Sequence, residues 1–477
     1  MTRLKQAIKL LLILIVFLFL FICYKTTVKK PFCKDCNIIL VSLDTLSANH
    51  LNCYGYNCNT APNLCKFAQE NIVFKNNFAN AHFTLPSHVS IFTGLLPSQH
   101  KVNYIYKDYL DKNTPFLPEI LQKNGYKTYF YMPTGDSYLP LDKVYNRGID
   151  EIHNGYYPKK NWKAGLETLK ENNKKGQKTF LFLHTFWVHS PYFEEISKKM
   201  FTNKSYKDIP MSWEEYYSGC SEDFYKHIVK TLEQDLKENV LGLNLYKKIK
   251  SMKDIDEFKD FCNNKEHLLM NLFPFYLDRI DKNDPNKVDY LKALYDQEIF
   301  TLDSNLKDLL SEVRSDSLKK DTILIITSDH GESFMEHGSL AHNNLYDEIL
   351  KTPLIMYIPG VKNKEYQHLT QSIDILPTIL DLVGIKNNYK FNGKNLFNSN
   401  LLGKKTYIIA EDLDQEAKTA TIRDLDWKLF VKLNKDKYIP YELYNIKADP
   451  REKENVIFRN VKNTENLIFS LNQTLNK

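Results

Sequence analysis

The chain has 477 residues, of which 43% are hydrophobic and 26% charged, a composition that marks a globular protein and excludes a disordered or low-complexity one. Its net charge of +6 is dispersed, with no basic block interleaved with aromatics, so no nucleic-acid partner is expected. The length suits one large α/β core with a smaller appended domain.

The first element is an apolar run over residues 10–24, which Ala7 and Ile8 extend past Lys9. The long stem of Lys9 can carry its charge to the membrane surface. A signal peptidase site needs small residues, and Phe21, Ile22 and Cys23 are mostly bulky. The reading is therefore an uncleaved, single-pass signal anchor over residues 7–24, with residues 1–6 cytoplasmic, 25–36 a linker, and the remainder outside the cytosol in a periplasmic or extracellular space. Arg3, Lys5 and Lys9 lie before the run and Lys25, Lys29, Lys30 and Lys34 after it, so charge does not set the orientation. Cys33, Cys36, Cys53, Cys58 and Cys65 crowd the following stretch, and Cys220 and Cys262 lie further on. Cys33/Cys36 has the spacing of a redox pair or of half a metal site, but no second pair has zinc spacing. In an exported domain structural disulfides are the expectation, with the pairing open.

Residues 37–44 form a continuous apolar run that ends in a carboxylate, the pattern of a buried strand. Similar runs recur at 126–132, 179–186, 321–329 and 353–358, and helical patterns lie between them, for example at 60–71 and 295–313. Strands alternating with helices predict an α/β fold with a mostly parallel sheet sandwiched by helices. In such sheets the site lies beyond the carboxyl ends of the strands, where Asp44 and Asp329 both fall. Residues 37–384 are read as the catalytic domain, with a helical insertion at 195–288 that is rich in Lys, Asp, Glu and aromatics. Residues 385–477, with short strands and turns, are read as a small α+β C-terminal subdomain.

Three clusters carry candidate chemistry. Asp44 ends the first strand, where a lone Asp is often only a helix cap. Thr84, Ser87 and His88 open a second segment that reads equally well as a capped helix start. Asp329-His330-Gly331-Glu332, followed by His337 and His342, places adjacent acidic and imidazole groups at a strand end, which suits a metal site. Together the clusters suggest a divalent metal that activates a threonine hydroxyl.

The order of these motifs resembles the sulfatase family of the alkaline-phosphatase superfamily. NIILVSLDTLSANHLNCYGY is similar to that family's opening, and APNLCKFAQENIVFKNNFAN follows it in the same order. FTLPSHVSIFTGLLPSQH resembles the signature that begins with Cys or Ser and continues through Pro, Ser and Arg. FLFLHTFWVHSPY, LYDQEIFTLDSNL, TSDHGESFMEHG, SIDILPTILDLVGI and ELYNIKADPREKENV resemble the later landmarks. The resemblance covers residues 37 to about 460, interrupted by the insertion.

The resemblance implies that Asp44, Thr84, Asp329 and His330 bind the metal and that Thr84 is the nucleophile. It implies that His189 and His342 contact the ester oxygens or assist the leaving group, and that His88 takes the place of the signature's substrate-binding Arg. His184 and His337 are read as core or supporting residues. The resemblance favours calcium, whereas an imidazole ligand favours manganese or zinc.

Several positions depart from the family pattern. Sulfatases of this type convert a Cys or Ser to formylglycine, and a Thr is not expected to be converted. The tandem acidic residues after the first strand become Asp44-Thr45, and a Gly-Lys-Trp-His stretch expected after NGYKTYFYM is absent. A threonine nucleophile looks more like the phosphoethanolamine and phosphoglycerol transferases of the same superfamily, although those usually carry several membrane helices and a Glu as first ligand. The leading expectation is a metal-dependent hydrolase of a sulfate or phosphate ester. The alternatives are a transferase that modifies a lipid or surface glycan, and a non-catalytic binding protein that kept the fold. The substrate is expected to be a sulfate or phosphate ester, lipid- or glycan-linked, met at the membrane through the N-terminal helix.

Overall fold

The computed structural model describes residues 33–475, except for 104–107, 134–146, 156, 191, 193–200, 202–250, 252–256, 258–279, 399–406, 414–417 and 435–436. The anchor expected at 7–24 and nearly all of the insertion at 195–288 therefore lie outside the described residues. Among the described residues no helix is long and apolar enough to cross a membrane.

The strands in chain order are β1 (Asn37–Leu43), β2 (Ile72–Phe78), β3 (Lys127–Met132), β4 (Glu151–Asn154), β5 (Thr179–Thr185), β6 (Thr322–Thr327), β7 (Ser333–Phe334), β8 (Leu340–Ala341), β9 (Lys351–Thr352), β10 (Leu354–Tyr357), β11 (Lys364–Gln371), β12 (Ile408–Asp412), β13 (Thr419–Arg423), β14 (Trp427–Asn434) and β15 (Lys437–Asn445). The longer helices are α1 (Pro62–Gln69), α2 (Thr84–Thr93), α3 (Leu117–Lys123), α4 (Pro158–Lys174), α5 (Pro285–Glu312), α6 (Ile375–Leu382) and α7 (Val461–Leu475). Each strand expected between 37 and 358 is present. The helix expected at 295–313 begins ten residues earlier, because Asp284 caps it by accepting from the Asn286 amide and Pro285 occupies its first turn. It thus starts inside the segment read as an insertion.

The main sheet runs β11-β2-β10-β6-β1-β5-β3-β4, with β9 added against β2. β1 pairs in parallel with β5 and β6, and β3 pairs in parallel with β4 and β5. β10 is antiparallel to both β6 and β2. β2 therefore runs in the same direction as β6, and the carboxyl ends of β1, β2, β5 and β6 share one edge. Successive side chains of a strand point to opposite faces, so a strand covered on both sides must be apolar throughout. β1 shows this pattern: Ile39, Val41 and Leu43 join a core with Leu64, Trp162, Leu291 and Leu302, on α1, α4 and α5. Its Ile38 and Leu40 join the opposite core with Leu85, Phe92, Leu117 and Ile379, on α2, α3 and α6.

The C-terminal region forms an antiparallel sheet in the order β12-β13-β14-β15. Leu467 and Leu471 of α7 pack against Ile422, Leu429 and Leu443. This agrees with the α+β subdomain expected there. A buried ion network fastens this sheet to the main body. Lys428 Nζ lies 2.8 Å from both Asp347 Oδ1 and Glu452 Oε1, and Arg423 also pairs with Asp347. Cys33 is bridged to Cys36 and Cys53 to Cys65, which settles a pairing the spacing left open, while Cys58 is free.

Candidate active site

Four backbone segments end at the shared sheet edge, and each brings one group to a common point. Asp44 follows β1 directly and is fully buried. The chain turns there through Thr45, at φ 56°, a left-handed conformation that costs a β-branched residue about 1–2 kcal/mol. Tyr295 of α5 holds this turn: its hydroxyl donates to the Thr45 carbonyl at 2.7 Å and accepts from the Ser47 amide at 3.0 Å. The Thr45 amide donates to Asp329 Oδ1 at 3.3 Å, which ties the turn after β1 to the turn after β6. A strained turn held this firmly indicates a geometry fixed for function.

Asp329 and His330 follow β6 and are both buried. Oxygen or nitrogen atoms of Asp44, Asp329 and His330 lie within 4.8 Å of one another. Two of these oxygens, Asp44 Oδ1 and Asp329 Oδ2, are buried with no hydrogen-bond partner. A buried carboxylate oxygen without a partner is costly, and two in one site are costlier. Burial, then the negative charge of Asp329, pushes the Asp44 carboxyl well above its usual range. Burial also acts on Asp329, but His330, His88 and His184 outweigh it and hold that carboxyl low. His330 Nδ1 lies 3.0 Å from the Gly331 carbonyl, which can only accept, so Nδ1 carries the proton and Nε2 keeps its lone pair. Burial pushes the His330 pKa down to about 4, which keeps the ring neutral. Two buried carboxylates, each with an oxygen that lacks a hydrogen-bond partner, and one neutral imidazole nitrogen form a donor set that fits a divalent cation.

Thr84 is the first residue of α2, which begins five residues after β2. Its hydroxyl donates to Asp44 Oδ2 at 3.4 Å, and Oγ1 lies 3.5 Å from His330 Nε2. Thr84 also stands at the N-terminus of α2, where the helix dipole favours an anion.

His88 lies one turn along α2, wholly buried. Its Nδ1 donates to the Thr84 carbonyl at 2.9 Å, and its Nε2 accepts from the Ser42 hydroxyl at 2.8 Å. Both ring nitrogens are thus engaged inside the protein, where a substrate contact was expected of this side chain. His184, on β5, directs Nδ1 to the Ser42 carbonyl and brings Nε2 to 3.6 Å from Asp44 Oδ2, as a supporting residue would. His337 sits away from the site, against the C-terminal subdomain.

His189 and His342 stand together, with ring centroids 5.2 Å apart, and the His342 ring is 4.5 Å from that of His330. The β7–β8 hairpin delivers His342, directly after Ala341 at φ 68°. Burial pushes both rings down, to about 4 for His189 and about 3 for His342.

Three further residues complete the site and were not singled out from the sequence. Glu332 accepts from His342 Nδ1 at 3.1 Å and from the Tyr192 hydroxyl at 3.0 Å. Its signal was its place directly after Asp-His-Gly. His82 donates from Nδ1 to the His342 carbonyl at 2.6 Å and lies 3.3 Å from Asp412 on β12. No spacing pointed to it, since its partners are distant in sequence.

The family model described as Sulfatase matches residues 36–385, and one described as N-sulphoglucosamine sulphohydrolase, C-terminal, matches residues 335–477. Arylsulfatase K of Gallus gallus is 22% identical over 454 residues, covering 89% of this chain and 79% of that protein. The alignment with Rattus norvegicus arylsulfatase K is shorter, covering 36% of this chain and 32% of that protein. N-acetylglucosamine-6-O-sulfatase of Bacteroides thetaiotaomicron is 23% identical over 484 residues, covering 88% and 82%. A solved structure in complex with its substrate D-glucosamine-2-N,6-O-disulfate is 20% identical, with a TM-score of 0.63 and coverage of 94% and 97%, a likeness of fold.

Proposed function

This chain belongs to the sulfatase family, and from that premise we propose that it hydrolyses a sulfate ester, with Thr84 as the attacking group. The observation that carries the reading is the convergence of Thr84 Oγ1, Asp44 Oδ2 and His330 Nε2 within 3.5 Å at the N-terminus of α2. The glucosamine sulfates named for two of the relatives support a sugar-borne sulfate as the substrate.

Asp44, Asp329 and His330 would hold one divalent cation, which would lower the pKa of the Thr84 hydroxyl and neutralise charge on the ester oxygens. Thr84 loses its proton to Asp44 Oδ2 and forms a bond from Oγ1 to sulfur. The ester S–O bond breaks as it forms, and the departing alcohol takes the proton that His342 Nε2 gains from solvent when the anionic ester binds beside it, with His189 binding an ester oxygen. Water then attacks sulfur, its proton returns to His342, and Oγ1 leaves with the proton held at Asp44. A threonine carries a methyl group at Cβ, so it cannot become the aldehyde that formylglycine requires; direct attack by the hydroxyl is the chemistry its side chain allows. His88 serves this reading by fixing the first turn of α2 rather than by touching substrate.

Phosphate esters and transfer to an acceptor alcohol would use the same groups, but no observation favours them over sulfate hydrolysis. The two disulfides suit an oxidising compartment, so we place the domain outside the cytosol behind an anchor at 7–24; carbonate extraction of membranes that leaves the full chain in the supernatant would remove the anchor. Turnover of 4-nitrophenyl sulfate and 4-nitrophenyl phosphate by the protein, with calcium, manganese or zinc, tests the function. The expected result is sulfate cleavage that Thr84→Ala abolishes. Phosphate cleavage alone, or sulfate cleavage retained in Thr84→Ala, would overturn it.

A further inference from the structure

We infer that Glu332 is the positioning residue for His342, holding Nδ1 of that ring so that Nε2 is the nitrogen offered to the leaving group. The inference rests on the role given to His342 above and adds a residue to it.

Glu332 is 1% exposed, and each of its carboxylate oxygens has its own partner. Oε1 faces His342 Nδ1 at 3.1 Å, and Oε2 accepts from the Tyr192 hydroxyl at 3.0 Å. Tyr192 is itself buried and stacks edge-on to Tyr295, the residue that holds the turn at Thr45. A rigid aromatic thus fixes the carboxylate, and the carboxylate fixes the imidazole. The backbone of His342 is held separately, through the hydrogen bond from His82 to its carbonyl.

Burial raises the Glu332 pKa to about 7, so at pH 8 the group is ionised and can only accept, and its contact at Nδ1 selects the ring form with the proton there. The same contact fixes the ring's orientation and leaves Nε2 as the nitrogen that can serve the departing alcohol. Positioned acid–base catalysis of this kind contributes about 10²–10⁴-fold where the leaving group needs a proton, and little where it does not. Burying an acidic group against a histidine for packing alone would show no such dependence on the leaving group.

The test compares Glu332→Gln with the parent protein on two sulfate esters, 4-nitrophenyl sulfate, whose phenolate leaves unaided, and a sugar 6-O-sulfate, whose alcohol needs a proton. The expected result is a loss of kcat on the sugar ester at least about tenfold larger than on the nitrophenyl ester, with KM little changed. Tyr192→Phe, a milder change, should show the same selectivity at smaller amplitude. Glu332→Gln in a His342→Gln background should cost nothing more, since both act through one group. Equal losses on both esters, or additive losses in the double variant, would overturn the inference. A readout that needs no turnover separates it from the function proposed above: at pH 8, ¹⁵N spectra of histidine-labelled protein should show a proton on Nδ1 of His342, identified by its disappearance in His342→Gln. An unprotonated Nδ1 would sink the positioning role even in an active enzyme. Failure to cleave any sulfate with Nδ1 protonated would sink the sulfatase reading and leave the pairing standing.

Discussion

Thr84 Oγ1 donates to Asp44 Oδ2 across 3.4 Å, although the two residues are 40 positions apart in sequence and reach the site on different elements. The contact exists because β1 and β2 run in the same direction and end at the same sheet edge. It makes the hydroxyl, rather than the size or shape of the side chain, the feature that matters. Thr84→Val keeps the shape and removes the oxygen, so it should abolish turnover while the melting temperature stays within a few degrees. Thr84→Ser should retain activity within about tenfold, since serine presents the same nucleophile. Kinetics on an aryl sulfate check both. Activity in the valine variant would end the nucleophile assignment.

Asp44 and Asp329 predict a particular response to metal. Both are buried, each has a carboxylate oxygen without a hydrogen-bond partner, and with His330 they form a cluster of possible ligands, so a bound cation stabilises the folded state, by about 2.7 kcal/mol at a hundred times its dissociation constant. Calcium, manganese or zinc should raise the melting temperature, and a chelator should lower it. Asp44→Asn removes the carboxyl that burial and the charge of Asp329 push up, the one of the two whose ionisation costs stability. It should melt higher than the parent in chelator yet lose most of the rise with metal. A variant that responds to metal as the parent does would show that these residues do not hold it.

His337 gives a pH dependence far from the chemistry. Its Nδ1 lies 2.7 Å from Glu348 Oε1, its Nε2 lies 2.9 Å from the Glu452 carbonyl, and its ring stacks on Tyr346 at 3.6 Å. Both nitrogens face acceptors. Burial lowers the affinity of this ring for its second proton, but the Glu348 carboxylate outweighs it, and the pKa is raised above the ordinary 6.5. A histidine whose folded pKa is raised contributes stability that is fully present below the unfolded pKa, and that is lost as pH rises through the folded value. His337→Gln should therefore lower the melting temperature more at pH 5.5 than at pH 9. Equal losses at both values would contradict the assignment.

Gly331 has room for no side chain. A Cβ there would meet the Glu348 carbonyl oxygen at 2.5 Å and Ser47 Cβ at 2.9 Å, both parts of the frame around the site. Gly331→Ala must displace either the turn after β1 or the Asp329-His330 pair, at a cost of about 1–3 kcal/mol for overpacking. Activity should fall by more than the stability loss implies, because metal residues on both sides of the clash move. Urea unfolding together with kinetics would check this. An alanine variant of normal activity would show that the frame yields elsewhere.

Much of this was legible because parallel strands write themselves plainly. The run at 37–44 is apolar throughout because both faces of β1 are covered, and the carboxylate ending it sits where such sheets place their sites. The same logic located Asp329 and His330. Thr84 was legible only as a helix start until the family pattern singled it out. Glu332 lies only ten residues from His342 and directly after Asp-His-Gly, a signal the sequence reading passed over, whereas Tyr192 and His82 were hidden because their contacts span 140 and 260 residues. His88 shows the opposite failure: the family position suggested a substrate contact, but a helix interior and Ser42 had already taken both its nitrogens. The start of α5 was missed because its first turn is set by Asp284 and Pro285, ahead of the apolar repeat that defines the rest.

The most direct test of the account is to mix the metal-loaded protein with a rapidly cleaved aryl sulfate, quench in acid within one turnover, and map the modified peptide by mass spectrometry. A sulfate ester is expected on Thr84 in the parent protein, on the serine in Thr84→Ser, and nowhere on this peptide in Thr84→Val. Turnover with no adduct on Thr84, together with unchanged activity in Thr84→Val, would contradict it.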